Sequence, residues 1–164
     1  MRRICPLLLT ATLLVSIGFA QEDRQAVTSG AAFDSYSGMY SFLRDGEFVQ
    51  VTVEDQGKVT GFVSRYGDLD SDKGAFLDHF FKEGKLADNK LVFATERVHG
   101  VWFEFKGVIV RGEGKNPGDE AYYVLKGTLT EYSTDQNKKS SSRSRGVAFK
   151  SFPQNMAPAE QNKD

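Results

Sequence analysis

From residue 38 onward, short apolar runs alternate with turn-forming residues, and no stretch keeps a helical period over several turns. Apolar residues at every second position are typical of strands that bury one face, and regularly spaced turn signals are typical of sandwiches and barrels. The pattern predicts strands at residues 39–43, 47–54, 58–66, 76–86, 90–97, 100–111, 120–131 and 147–152. Most connections are short, so we expect consecutive strands to pair antiparallel.

The fourth of these segments is ambiguous. Phe76, Leu77, Phe80 and Phe81 are spaced for one face of a short helix near residues 74–83, and equally well for an aromatic-rich strand. Periodicity does not separate the two structures over so few residues. We favour the strand and keep the short helix as an alternative. The predicted fold class is therefore all-β, an antiparallel up-and-down barrel of about eight strands.

Strand parity divides this predicted barrel into two faces of different composition. The first face is mainly aliphatic and phenylalanine, whereas the second mixes aromatic residues with hydrogen-bonding groups. The first contains Val49, Val51, Val53, Leu91, Phe93, Val101, Phe103, Phe105, Ile109, Tyr123, Leu125, Leu129, Val147 and Phe149. The second contains Gln50, Thr52, Thr60, Phe62, Ser64, Trp102, Glu104, Lys106, Val108, Tyr122, Lys126 and Thr128.

The face that points inward decides what the barrel can bind. With the aliphatic face inside, the interior is filled, and Trp102 lies on the outer wall beneath a terminal segment or a partner. With the mixed face inside, the interior is an aromatic pocket for a small molecule, and other subunits must cover the aliphatic wall. We favour the filled barrel because burial of the apolar face is the stronger force. An oligomer is expected only if the aliphatic face is outside.

Candidate ligand-binding residues lie on the mixed face. Trp102 is the only tryptophan, and Tyr122, Glu104, Phe62 and Thr128 share its face. Aromatic side chains with a few polar groups are the usual lining of small-molecule sites. These five residues are the predicted site for a small molecule or a partner protein.

The acidic stretch before Gly74 is a candidate calcium loop. Asp68, Asp70 and Asp72 alternate ahead of the glycine, and calcium takes many oxygen ligands. The EF-hand pattern, however, requires glycine directly after the third acidic position, where this chain has Lys73. We therefore predict a solvated acidic turn and no metal site.

The sequence shows no complete catalytic motif. His79 and His99 are its two histidines, and neither has the spacing of a metal site or a triad. No GxSxG nucleophile elbow occurs. A hydrolase would have to use Glu104 with one of the histidines, and the sequence identifies no second carboxylate for it. We predict a protein without catalytic machinery and without a cofactor.

The N-terminus has the pattern of a secretory signal peptide. Two arginines precede an apolar run from Ile4 to Phe19, and small residues lead to a cleavage site after Ala20. Removing residues 1–20 from the 164 leaves 144, enough for one domain. The expected localisation is periplasmic or extracellular. The sole cysteine, Cys5, is lost with the signal, so no disulfide is expected.

The rest of the chain divides into three parts. Residues 21–36 predict a flexible lead, residues 37–153 a single barrel domain, and residues 154–164 a disordered tail. Within the domain, the polar and partly basic residues 132–146 predict a mobile hairpin loop. Such a loop supports a second hypothesis, in which a periplasmic inhibitor or structural protein contacts a macromolecule through its loops.

Charge and hydropathy give no support to binding of nucleic acid or to a membrane span. The chain has 21 basic and 22 acidic residues, and losing Arg2 and Arg3 with the signal leaves 19 against 22, a net charge of −3. This balance gives no support to nucleic-acid binding. No apolar run of about 20 residues remains, so we expect no membrane span in the mature chain.

The order of strands resembles the calycin group, in particular avidin-like and lipocalin-like barrels. GMY at residues 38–40, GKVTGF at 57–62 and YYVLKGTLTEY at 122–132 carry the resemblance, which covers residues 38–152. Those families often begin with G-x-Trp, and Tyr40 stands here in place of the tryptophan. The resemblance implies the barrel architecture and assigns no ligand residue. The chain is also similar to small exported bacterial proteins.

Overall fold

The computed structural model describes residues 36–68, 70–135 and 137–154. The predicted signal peptide, nearly all of the predicted lead and the tail beyond residue 154 lie outside the described residues. Within these ranges, no helix is long and apolar enough to cross a membrane.

Eight strands form one sheet in which each strand pairs antiparallel with the next along the chain. They are β1 (Gly38–Ser41), β2 (Phe48–Val53), β3 (Val59–Tyr66), β4 (Phe76–Ala87), β5 (Lys90–Thr95), β6 (Val101–Arg111), β7 (Tyr123–Thr134) and β8 (Ser140–Lys150). One short 3-10 turn, Asp55–Gly57, joins β2 to β3. The prediction of an all-β, antiparallel up-and-down architecture is confirmed.

The sheet curls until β1 meets the end of β8. Tyr40 forms a bridge with Ser151, and the amide of Phe152 donates to the carbonyl of Met39 over 2.8 Å. Open sheet edges offer unpaired backbone groups to other chains. This seam joins the two edges of the curled sheet at one end, with far fewer bonds than join the other neighbouring strands.

The short helix considered near residues 74–83 is wrong. The segment belongs to β4, in which Phe76 and Phe80 point outward while Leu77 and Phe81 point inward. Both faces of this strand are therefore apolar, and the alternation that would have identified it is lost.

The predicted polar loop at residues 132–146 is also wrong. β7 and β8 run through this segment and leave only residues 135–139 as their connection. Hydroxyl groups pair across the two strands, as between Ser133 and Ser141, whose oxygens lie 2.8 Å apart. Cross-strand serine and threonine pairs stabilise a ladder that shows no apolar alternation.

The aliphatic face points into the barrel. Phe105 stacks on Phe93 with ring centroids 5.3 Å apart, and Phe42 meets Phe103 edge to face at 5.4 Å. The other buried members of the predicted inner face are Val49, Val51, Val53, Leu91, Ile109, Leu125, Leu129 and Phe149. The filled barrel is confirmed, and the aromatic interior pocket is wrong. The aliphatic outer wall on which an oligomer was predicted to depend is not formed.

Candidate functional site

Trp102 and Glu104 are neighbours on the outer wall of β6. The Trp102 ring stacks on Tyr132 of β7, with centroids 5.0 Å apart and planes 5° from parallel. The Arg97 guanidinium lies 4.2 Å from the Trp102 ring centroid, and the Tyr132 hydroxyl donates to Glu104 over 3.2 Å. Tyr132 is not among the predicted site residues because its segment was predicted to be a loop. The structure thus joins two of the five predicted residues.

The other three predicted residues lie apart from this pair. Phe62 is on the outer wall of β3, between Phe48 and Phe80 at 5.8 and 5.5 Å. Thr128 is exposed on the outer wall of β7. Tyr122 precedes β7 at the opposite end of the barrel from Trp102. The five residues therefore do not converge on one site.

Tyr122 lines a cleft of about 430 Å³ beside the seam between β1 and β8. Its polar side chains are largely engaged in the fold. The Asp119 carboxylate accepts from the amides of Lys115 and Asn116, at 3.0 and 2.8 Å. The Ser151 hydroxyl likewise accepts from the backbone at the start of β7. The cleft has the volume of a ligand site but offers few free groups to orient a ligand.

Charged side chains gather at the other end of the barrel, where the β1–β2, β3–β4, β5–β6 and β7–β8 connections lie. We call this region the charged end. Polar residues become buried there although the middle of the barrel is apolar. Its members are Arg44, Glu47, Arg65, Asp68, Asp72, His79, His99, Glu131 and Arg145.

Arg65 is the most deeply placed cation of the charged end. It occupies an inward position of β3, its side chain is only 6% exposed, and its guanidinium forms an ion pair with Asp68. Its Nε donates to the carbonyl of Tyr66 over 3.2 Å. Burial lowers the pKa of Arg65, and the carboxylates of Glu131 and Glu47 oppose that shift. A buried guanidinium requires such partners because desolvation of an unpaired charge is costly.

Asp68 neutralises two arginines from an exposed position. Its side chain, in the β3–β4 connection, is 51% exposed. In addition to Arg65, it accepts from Nη2 of Arg44 over 2.7 Å. The main counter-ion of a buried arginine is thus a carboxylate that solvent reaches freely.

Arg145 and Glu131 complete the charged end from β8 and β7. Their side chains form an ion pair of 2.6 Å, and the buried Nε of Arg145 has no hydrogen-bond partner in the described part of the chain. Together with the residues above they surround a cavity of about 120 Å³. Its lining is Leu43, Arg44, Arg65, Asp68, Phe103, Glu131 and Arg145. Three guanidiniums and two carboxylates line the cavity, and the buried Glu47 behind it pairs with Arg44 at 3.7 Å.

Two buried carboxylates hold the surrounding connections in place. Glu47 accepts from the amides of Arg44 and Tyr66, at 3.1 and 3.2 Å, and so ties the β1–β2 connection to β3. Asp72 lies 2.6 Å from Nδ1 of His99. Gly67 packs so closely on Asp72 that a Cβ there would collide with its carbonyl oxygen. The glycine therefore permits the compact β3–β4 connection.

The solvated acidic turn predicted for Asp68, Asp70 and Asp72 is correct only in part. Asp70 is exposed, but Asp72 is buried against His99, and Asp68 is paired with arginines. Among the described residues, no group of three acidic, histidine or cysteine side chains could hold a metal ion. Asp68 balances two of the protein's own arginines, and Asp72 contacts His99.

His79 lies buried beneath the charged end, with its ring 5.2 Å from that of Phe103. Neither ring nitrogen makes a hydrogen bond within the described ranges. Burial, and secondly the charge of Arg65, lower the pKa of His79 to about 4; the backbone of Glu96 opposes this shift. His79 is therefore neutral at pH 7. Glu104 lies on the opposite face of the wall, so the pairing of Glu104 with His79 that a hydrolase would require is not formed.

Comparison with known proteins identifies the architecture. No protein-family model and no curated protein matches the chain. Among solved structures, the crystal structure of a rhizavidin–biotin complex matches with a TM-score of 0.52 and 10% sequence identity, covering 74% of this chain and 96% of that chain. At this identity the match shows the fold alone. The resemblance to avidin-like barrels is confirmed at the level of architecture.

Proposed function

We propose that the protein binds a small anionic molecule at the charged end of its barrel. One observation carries the proposal: the buried Arg65 and the neighbouring Arg44 share Asp68, a half-exposed carboxylate in a surface connection. A carboxylate or similar group of a ligand could take the position of the Asp68 side chain without leaving either guanidinium unpaired. Guanidinium groups suit planar oxyanions because they donate two parallel hydrogen bonds.

The cavity favours an anion over a cation. Its lining has more guanidinium than carboxylate groups, and the buried Nε of Arg145 is a free donor within the described part of the chain. A buried donor without a partner costs free energy, which an incoming acceptor would recover. Both features oppose the binding of a second positive charge.

Cavity size limits the ligand. The space of about 120 Å³ is well below the 300 to 1,000 Å³ typical of sites for drug-sized molecules. The ligand is therefore a compact acid or the charged end of a larger molecule whose remainder extends across the connections. The solved structure of similar architecture is described as a complex with biotin. This supports the capacity of such a barrel to hold a small molecule.

Thermal unfolding with a set of anions tests the proposal. We expect acetate, succinate, benzoate, phosphate or sulfate, each compared with chloride at equal ionic strength, to raise the melting temperature of the full chain by mass action. Arg65→Met should abolish the response. Arg111→Met, which removes the same charge at the opposite end of the barrel, should leave it unchanged. No response in the wild type, or equal responses in both variants, would refute the proposal.

Asp68→Asn separates ligand binding from general electrostatic attraction. Because this substitution removes the carboxylate that competes for Arg44 and Arg65, we expect the dissociation constant of the responding anion to fall about tenfold, the result of about 1.4 kcal/mol. Asp70→Asn removes an exposed charge of the same connection without vacating the arginines. An equal gain in both variants, measured by calorimetric titration, would show that only net charge matters.

We also propose that the protein acts after export. The arginines, apolar run and cleavage site at residues 1–20 support this proposal. Expression in a bacterial host followed by N-terminal sequencing should give a periplasmic or secreted chain that begins at Gln21. Retention of the intact N-terminus in the cytoplasmic fraction would contradict it.

A further inference from the structure

Arg143 lies on the inward face of β8, between the cavity of the charged end and solvent. Arg145, two residues further along the same strand, lines the cavity, and side chains two residues apart on a strand point to the same side. The register agrees, because Arg143 lies directly opposite Glu131 of β7, which also lines the cavity. Arg143 is exposed and therefore extends this lining toward solvent.

The carboxylates of the charged end are engaged by groups other than Arg143. Glu131 forms its 2.6 Å ion pair with Arg145, although Arg143 is its direct cross-strand neighbour. The remaining carboxylates contact Arg44, Arg65 or His99, and they are Glu47, Asp68 and Asp72. Arg143 forms no ion pair with another described residue. This inward face thus carries one guanidinium more than its carboxylates neutralise.

Arg143 and Arg145 are like charges on one face of one strand. Two residues along a strand separate their backbones by about 7 Å. Like charges on one face of a sheet destabilise it, and the ion pair with Glu131 neutralises only Arg145. An anion placed beside Arg143 would reduce this repulsion. The empty charged end therefore has a site at which a second negative group is favoured.

The hairpin that carries Arg143 is held in place by backbone contacts at its end. The amide of Thr134 donates to the carbonyl of Gly100 over 2.9 Å and ties the hairpin to the β5–β6 connection. The Asp135 carboxylate accepts from the amide of Lys139 over 2.8 Å within the β7–β8 connection. Sites built on paired strands position their side chains more accurately than sites on loops. The backbone of Arg143 thus has a defined position relative to the cavity.

We propose that the ligand of the charged end carries two acidic groups, one bound beside Arg65 and the other beside Arg143. This inference rests on the proposed function and adds the chemical class of the ligand. The cavity of about 120 Å³ holds the first group, and the second group lies in the open space in front of β8. A guanidinium binds a carboxylate through two parallel hydrogen bonds, so each arginine suits one carboxylate. Dicarboxylates with a short carbon chain, such as succinate, glutarate and adipate, have this form.

Calorimetric titration of the full chain with glutarate and with valerate, at equal ionic strength, tests this inference. The two acids have the same number of carbons, and only glutarate has the second carboxylate. We expect glutarate to bind about fivefold more tightly, the upper range for an exposed ion pair. Arg143→Met should remove this preference and leave the affinity for valerate unchanged. Lys139→Met is the matched control, because it removes one exposed positive charge from the same hairpin, and it should keep the preference.

Other results would overturn the inference. Equal affinities of the wild type for the two acids would leave a site for a single acidic group and no role for Arg143. Loss of the preference in both variants would show that net charge, and not the position of Arg143, selects glutarate. Arg143→Gln gives the same test if circular dichroism shows that the methionine variant does not fold. Failure of both acids to bind would refute the proposed function itself, so the two failures can be distinguished.

Discussion

The middle of the barrel and its charged end use the same inward-facing positions for different purposes. In the middle, Phe105 and Leu125 fill the interior with close contacts and no polar group. At the next inward positions after the buried Val63 of β3 and Leu129 of β7, Arg65 and Glu131 point inward as well. Strand parity therefore places a side chain inside, while depth along the barrel axis decides whether that position serves packing or binding.

The largest expected effect is a loss of stability when a core side chain in the middle of the barrel is truncated. Phe105→Ala removes a ring that stacks on Phe93 at 5.3 Å and meets Phe149 at 6.1 Å. A cavity at such a site costs about 3–5 kcal/mol of unfolding free energy, because neighbouring side chains collapse only in part. Urea unfolding followed by tryptophan fluorescence measures the loss. A loss below about 1 kcal/mol would show that the middle is loosely packed and contributes no more to stability than the charged end does.

The stability of the folded chain should depend on pH through His79, which lies between the middle of the barrel and the charged end. His79 has a pKa of about 4 in the folded chain, against 6.5 as its ordinary value. The unfolded chain therefore binds more protons between these values, and stability falls as pH falls from about 6.5 to about 4. The pKa difference corresponds to a loss of about 3 kcal/mol.

Comparison with a variant isolates the contribution of His79. His79→Leu should remove this part of the pH dependence, while the effect of titrating carboxylates remains in both proteins. Urea unfolding at several pH values gives the difference between the two curves. Parallel curves would mean that His79 takes up its proton in the folded state without penalty.

The smallest expected effect on stability is at the charged end. Arg65→Met exchanges a buried guanidinium for an apolar side chain of similar length and leaves Asp68 paired with Arg44. Because the lost ion pair is offset by the desolvation that Arg65 no longer suffers, we expect a change within about 1 kcal/mol. Urea unfolding compares it with Phe105→Ala. An equally large loss would make Arg65 a structural residue and remove the distinction between the two regions.

Much of the fold could be predicted because apolar and polar residues alternate along every strand that has one apolar face and one polar face. β2 and β6 follow this pattern, and their inward and outward residues were assigned correctly. The pattern fails in β4, which is apolar on both faces, and in β8, whose first half is serine and arginine. Cross-strand hydroxyl pairs stabilise that half, and they become visible only when the partner strand is known.

The charged end could have been found in part. Arg65 follows Val59 and Val63 at inward positions, and Glu131 follows Leu129, so parity alone indicates charges inside the barrel. The predicted site was centred instead on Trp102, the only tryptophan of the chain. The pairing of Arg65 with Asp68 depends on how the β3–β4 connection folds back across the barrel, and local sequence patterns do not specify that path.

The seam between β1 and β8 has a consequence for chain connectivity. Ser37 and Gln154 line the same cleft, so the two ends of the barrel domain lie side by side. A short linker could join them, and new termini could open in the β7–β8 connection, whose described residues 135 and 137–139 are exposed. All eight strands would keep their neighbours in such a circularly permuted chain. The architecture is thus a ring of strand pairings, and the position at which the chain starts is one choice among several.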